Sequence, residues 1–552
     1  MKLMGRILIF AMGLWIISSG YAQTGSVPKP LNSISRPKLV VGLVVDQMRW
    51  DFLYRFYDRY ASNGGFKRFL NQGFSCENTL IPYTPTVTAC GHTTIYSGSV
   101  PSIHGITGNT WYDNLLQRSV YCTEDKSVKG VGTTGAAGEM SPRNMLVTTI
   151  CDELRLATNF RSKVIGIAFK DRGSILPAGH SANAAYWYNG STGEWITSSY
   201  YMNELPTWVT ELNTPKLVDK YYRLNWNTLY PANSYVQSTS DEKNYEGKPL
   251  GVDMKGFPYD LEKFIGKNYS IIESTPYGNT LTLDMAKAAI GSEKMGADDI
   301  TDILTVSFSS PDYIGHSFGP NSVEIEDTYL RLDKDLGEFL NFLDTKVGKG
   351  KYLVFLSADH GVSHVPGFLK EHKIPTGTIS TEGIMSRFNI QLREKFGKER
   401  LIVSMNNYQV HLNHRAIDSM GLNEGAIKKW IIDSLKYTPG ISQVIDLQEL
   451  GGVALNAQVK NMLANGYFPQ RSGDIQILFK PQWIIGGTTG TTHGLWTPYD
   501  AHIPLLWYGW NIKPGKTNRE TYMTDIAPTI AAILKIQMPS GSVGKVIVEV
   551  VK

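Results

Sequence analysis

Cysteine is scarce in this chain: there are four in 552 residues, Cys76, Cys90, Cys122 and Cys151. So few thiols exclude a disulfide framework, and none has the paired spacing of a zinc-thiolate site. Four cysteines allow three pairings, which the sequence leaves open, and at least two are expected to be plain buried thiols. Runs of like charge are also missing. With 54 Lys and Arg against 50 Asp and Glu the formal charge is +4, which excludes the basic footprint of a nucleic-acid-binding or polybasic membrane-surface protein. Beyond the N-terminus no stretch is apolar enough to span roughly 30 Å of hydrocarbon, which takes about 20 residues. No internal repeat or low-complexity tract occurs. A composition of 42% hydrophobic, 19% charged and 11% aromatic residues excludes disorder, collagen and coiled coil.

What is present begins with an export signal. Lys2 and Arg6 precede an apolar stretch at 7–17, and small residues end at Gly20-Tyr21-Ala22. The stretch is too short for a transmembrane helix, so residues 1–22 read as a signal peptide, and the mature protein is expected in the periplasm or outside the cell. No cysteine follows to carry a lipid anchor. Cleavage takes Lys2 and Arg6 from the basic total and leaves 52 against 50 acidic residues, a net +2.

Four apolar runs read as buried strands lying next to polar residues capable of binding a ligand. They are 38–45 (KLVVGLVV) before Asp46, 302–308 (DILTVSF) before Asp312, 351–357 (KYLVFLS) before Asp359-His360, and 502–508 (HIPLLWY), preceded by His493. Continuous apolar strands belong to parallel sheets covered on both faces. Between the second and third, Ile325, Tyr329, Leu332, Leu336, Phe339, Leu340 and Leu343 recur at helical spacing within 322–347, and Asn279 is placed to cap a helix over 280–290. The expected class is α/β, a doubly wound, mostly parallel sheet flanked by helices, with ligands outside the carboxyl ends of the strands. Two stretches interrupt this: an irregular, aromatic-rich insertion at about 174–275, and an α+β cap at about 400–478, with short strands at 401–404, 441–447 and 474–478 and helices at 423–435 and 457–463.

Asp312 and His316 stand one helical turn apart, as a carboxylate and an imidazole sharing a metal would. Together Asp46, Asp312, His316, Asp359, His360 and His493 supply three carboxylates and three imidazoles, a donor set suited to two zinc ions. The other eight histidines, His180 and His364 among them, are read as structural. Thr86 and Thr88 lie just ahead of a short helix, where a hydroxyl beside a metal can become a nucleophile and free N–H groups favour an anion. The alternative is an ordinary threonine cap.

The strand-then-Asp46 start, T-x-x-x-HTTIYSG from Thr88, PSIHGITGN ending at Asn109, D-x-x-x-H at Asp312, SADHG around Asp359 and THG around His493 occur in the order of the alkaline phosphatase superfamily. From about Pro37 to the C-terminus the chain most resembles its phosphate-irrepressible (PafA-type) alkaline phosphatases. The resemblance implies a catalytic domain at 37–552 interrupted by the two insertions, and Thr88, not Thr86, as nucleophile. It implies one zinc on Asp312, His316 and His493 and another on Asp46, Asp359, His360 and the Thr88 oxygen. Asn109, with Lys170 and Arg172 from IAFKDRGSILPAGH, would hold phosphoryl oxygens, together with the backbone N–H after Thr88. The sulfatase pattern is absent, since Cys90 is followed by Gly91 and His92 with Thr94 at the Arg position.

The implied activity is hydrolysis of small-molecule phosphate monoesters through a phosphothreonine, releasing inorganic phosphate. Two cations suit a dianionic monoester, whereas a diester carries one charge and needs room for a second substituent. The alternatives are a phosphodiesterase or nucleotide pyrophosphatase of the same superfamily, and a non-catalytic periplasmic binding protein. The preferred ester and the oligomeric state are not legible.

Overall fold

The computed structural model describes residues 35–551, so the signal-peptide expectation at 1–22 lies outside the described residues. From Pro37 onward the chain forms one compact unit. Its centre is a sheet in which Tyr352–Ser357, Leu39–Val45, Asp302–Phe308, Val164–Ala168 and Ala184–Asn189 lie side by side and parallel. Every residue of these five strands is buried, which is why the outer two of the three expected core strands and the one between them read as unbroken apolar runs. Antiparallel neighbours extend the sheet at both edges, Leu505–Gly509 beside Tyr352–Ser357 and Glu194–Ser198 beside Ala184–Asn189.

The register brings the carboxyl ends level: Val45 pairs with Phe308, Val44 with Ser357 and Ala168 with Ser307. The residues that leave those strands, Asp46, Ser309, Ala358 and Phe169, therefore emerge along one edge. Helices pack around the sheet, among them Tyr277–Ser292 and Val323–Leu343, the latter capped by the Ser322 hydroxyl on Ile325 N.

Two expectations are corrected. Asn279 caps nothing, because the helix begins at Tyr277 and buries Asn279 within it. The stretch at 174–275 is not wholly irregular, since Ala184–Asn189 (AAYWYN) and Glu194–Ser198 complete the main sheet; their β character lies in buried aromatics, not in an aliphatic run.

A second, four-stranded sheet orders Ile402–Ser404, Gln409–Leu412, Ile475–Phe479 and Ile441–Asp446. Its own core joins Leu401, Val410, Ile475 and Ile477 to Ile427 and Ile431 of the helix Glu424–Leu435, and to Phe388 and Leu392 of the helix Thr381–Phe396. All four cysteines are buried and free. Among the described residues no helix is long and apolar enough to cross a membrane.

Candidate metal centre and active site

Asp46 ends the strand Leu39–Val45. Asp312 sits in the first turn of the helix Ser310–Phe318 that follows Asp302–Phe308, with His316 one turn further on. Asp359 and His360 follow Tyr352–Ser357. His493 arrives on the loop that also supplies Thr491. The ligand atoms of Asp312, His316 and His493 lie within 4.8 Å of one another, and so do those of Asp46, Asp359 and His360.

The imidazoles are oriented in one way. His316 Nδ1 faces Thr491 O at 2.8 Å, His360 Nδ1 faces Gly361 O at 3.0 Å and His493 Nδ1 faces Thr86 O at 2.7 Å. A carbonyl only accepts, so each Nδ1 carries the proton and each Nε2 turns a lone pair inward. Those Nε2 atoms face carboxylates: His316 and His493 lie 3.2 and 3.6 Å from Asp312 Oδ1, and His360 lies 3.4 Å from Asp46 Oδ1 and 3.5 Å from Asp359 Oδ2. His360 and His493 stack with centroids 3.5 Å apart. Asp46 Oδ1 and Asp359 Oδ2 are buried and accept no hydrogen bond among the described residues. Buried lone pairs converging without donors are costly unless a cation sits between them. The residues present therefore form two clusters, each of which could hold a metal ion.

Electrostatics agree. Burial and the neighbouring Asp312 and Asp359 push the Asp46 carboxyl up. Burial opposes ionisation of Asp312 as well, yet His316 and Lys170 hold it below the ordinary range. Burial lowers His360 and His493, which favours their neutral, ligating form, whereas at His316 the Asp312 carboxylate outweighs burial and raises it. Lys170 Nζ bridges the two groups, 2.7 Å from Asp46 Oδ2 and 2.5 Å from Asp312 Oδ2.

Thr88 is the first residue of the helix Thr88–Ser97; Val87 is the cap, and no side chain among the described residues caps the helix. Its Oγ1 lies 3.5 Å from His360 Nε2. The Thr86 hydroxyl instead donates to Leu495 O at 2.9 Å. Gly91, one turn into the helix, lets it lie against the metal group, because a Cβ there would come within 2.5 Å of Asp359. Asn109 is half-buried, and its Oδ1 accepts from Ala89 N at 2.9 Å. The N–H after Thr88, expected to face a phosphoryl group, is thus spent on Asn109, which fixes the asparagine with its amide nitrogen available. Arg172 Nη1 donates to Tyr121 Oη at 2.9 Å.

Other residues of the site were not singled out in the sequence. Gln47, at φ 68°, donates from Nε2 to Asp312 Oδ1 at 2.6 Å and from its backbone N to Asp359 Oδ1 at 3.1 Å. His92 lies 2.9 Å from Thr88 O, 2.8 Å from Ser307 Oγ and 3.3 Å from Asp359 Oδ2. Tyr408, from the second sheet's unit, donates to His493 O at 2.9 Å. His92 sits inside the very motif that marks Thr88; Gln47 and Tyr408 have no local signal, since their partners lie 265, 312 and 85 residues away. His180 and His364 stand apart from both metal groups, on Met145 O and on Asn321 and Arg49.

Residues 40–502 match the type I phosphodiesterase / nucleotide pyrophosphatase family. The chain belongs to that family, within the alkaline phosphatase superfamily. Among individual relatives, it is 54% identical to the alkaline phosphatase PhoV of Synechococcus elongatus, over 99% of this chain and 100% of that protein. It is 51% identical to the alkaline phosphatase PafA of Elizabethkingia meningoseptica over 94% of this chain and 95% of that one. A crystal structure of PafA superposes with a TM-score of 0.92, covering 94% of this chain and 100% of that chain. A protein of Myroides odoratus named calcium-transporting ATPase is 54% identical over 94% of this chain and 95% of its own.

Proposed function

We infer that this protein is an exported, zinc-dependent phosphate monoester hydrolase, an alkaline phosphatase that works through a phosphothreonine on Thr88. The observation that carries the reading is the set of three imidazoles pinned by backbone carbonyls with Nε2 inward, facing three buried carboxylates beside an uncapped threonine hydroxyl. Asp312, His316 and His493 would hold one zinc; Asp46, Asp359, His360 and the Thr88 oxygen would hold the other. When bound, such a pair supplies Lewis acidity at the attacking oxygen and at the leaving one.

The chain's own residues do the rest. The N-terminus of the helix Thr88–Ser97 presents the Thr88 hydroxyl to the phosphorus. Thr88 Oγ attacks in line, the P–O bond to the alcohol breaks, and the alcohol leaves with a proton. Water then attacks the phosphothreonine, the Thr88 oxygen departs, and inorganic phosphate is released. The side chain within hydrogen-bonding reach of Thr88 Oγ1 is His360, a ligand in this reading, so no separate general base is assigned. Asn109, with its oxygen fixed on Ala89 N, offers its amide to a phosphoryl oxygen. Lys170, placed between the two groups, and Arg172 supply two positive charges for the dianion, which favours a monoester over a diester despite the family's name. The ATPase name of the Myroides relative fits the same chemistry, because the terminal phosphoryl group of ATP also presents an unblocked, doubly charged end. The apolar, cleavable N-terminus fits a periplasmic or secreted scavenger of phosphate.

Phosphate release from a monoester and a diester with the same leaving group, with zinc and after chelation, tests the reading. Faster monoester hydrolysis that chelation abolishes is expected. Preference for the diester would favour the phosphodiesterase alternative, and activity independent of metal would overturn the assignment of the two groups.

A further inference from the structure

Arg172 is half-buried, and Tyr121 is its one hydrogen-bond partner among the described residues. The tyrosine hydroxyl has a single proton, and it gives that proton to Asp171 Oδ1 at 2.8 Å. Its lone pairs therefore face the guanidinium. Asp171 is itself held, because Thr123 Oγ1 donates to its other oxygen. Asp171 and Arg172 are consecutive at the start of the helix Asp171–Ala178, so the carboxylate orients the tyrosine that orients the next residue's side chain.

The tyrosine is placed by a hairpin. Thr110–Asp113 pairs with Arg118–Tyr121, with Thr110 opposite Tyr121. Cys122 N donates to Asn109 O at 3.0 Å, and Asn144 Nδ2 donates to the Tyr121 and Cys122 carbonyls at 3.3 and 3.2 Å. The residue before the first strand is Asn109. One short hairpin thus carries Asn109 directly and fixes Arg172 through Tyr121, so the two groups read above as phosphoryl contacts share one rigid support.

We propose that Tyr121 is a positioning residue for phosphate recognition: its hydroxyl, aligned by Asp171, directs the Arg172 guanidinium from the same hairpin that carries Asn109. The proposal rests on the assignment of Arg172 to phosphate. A phenylalanine at this position keeps the ring and the hairpin but leaves the guanidinium without its acceptor, and it removes a donor from Asp171.

The test is a double-mutant cycle on the zinc-loaded enzyme with Tyr121→Phe, Arg172→Ala and the double variant, on a monoester and a diester sharing one leaving group. Tyr121→Phe should lower monoester kcat/KM by about tenfold, the low end of what a hydrogen bond to a charged group is worth. The diester should fall less. In the Arg172→Ala background Tyr121→Phe should cost nothing further on the monoester, because there is no guanidinium left to position. Asp171→Asn, which weakens the alignment of the hydroxyl, should shift monoester kcat/KM in the same direction by less. Equal, multiplicative losses in both backgrounds would overturn the proposal and give Tyr121 a purely structural place. If Arg172→Ala itself failed to separate monoester from diester, the phosphate role of Arg172 would fall instead, and with it the premise.

Discussion

Replacing Lys170 with alanine should destabilise the metal-free protein far more than the metal-loaded one. In the structure the Lys170 ammonium is almost fully buried and contacts Asp46 at 2.7 Å and Asp312 at 2.5 Å. Burial would lower its affinity for a proton, but the two carboxylates overcome this and raise it. Without the ammonium, and without metal, Asp46 and Asp312 are left buried beside Asp359 with no cation between the groups. Breaking a buried pair in this way costs about 3–5 kcal/mol. At roughly 2 cal/mol/K of unfolding entropy per residue, a chain of this size gains about 1.1 kcal/mol/K on melting, so the loss is about 3–4.5 °C in Tm. With two divalent ions on the carboxylates their charge is already met, and the shift should shrink to about 1 °C or less. Thermal melts of wild type and Lys170→Ala, each chelated and zinc-loaded, measure all four states. Equal shifts in the two forms, or none in the chelated form, would refute the argument that the lysine and the metals neutralise the same carboxylates.

His493→Ala should lose one of two bound metals, since it removes one of three side chains in its group and the stacking partner of His360; elemental analysis showing two retained per chain would contradict this. Thr88→Ala should lower kcat/KM by several orders of magnitude and Thr88→Ser much less, whereas Thr86→Val should cost about 1–3 kcal/mol of stability, through an unpaired Leu495 carbonyl, with kcat nearly intact. Glu324 is fully buried, with Oε1 accepting from Tyr259 and Oε2, among the described residues, from nothing. Burial and Glu246 push its carboxyl from 4.5 up to about 8. The folded state thus holds a proton the unfolded state releases, and the stability it contributes is present below about pH 4.5 and lost as pH rises through about 8. Glu324→Gln should therefore melt higher than wild type above pH 8 and alike near pH 4; a gap independent of pH would contradict the assignment.

The strands that carry Asp46, Asp312 and Asp359 were legible because a parallel strand buried on both faces must be apolar along its whole length, and a liganding carboxylate ends that run abruptly. The metal groups were legible because D-x-x-x-H fixes two ligands on one helix face and SADHG fixes two at one strand end. Ala184–Asn189 escaped because AAYWYN buries aromatic and small residues where an aliphatic run was sought. The helix Thr381–Phe396 carries a readable signal, Ile384, Phe388 and Leu392 at successive turns, outside the elements read from the sequence. Asn279 misled because a cap-type residue two positions past a helix start looks, in sequence, like one at the start. Gln47 and Tyr121 could not be found from spacing: what each does depends on partners brought beside it by the sheet or the hairpin, and neither residue type announces that.

The central claim is that Thr88 becomes phosphorylated during turnover. Zinc-loaded enzyme mixed with excess monoester, quenched in acid, digested and mapped by mass spectrometry tests it directly. Phosphate on the peptide at Thr88, and none in Thr88→Ala, is the expected result. Phosphate on Thr86, or no phosphopeptide while phosphate is released at the normal rate, would contradict it.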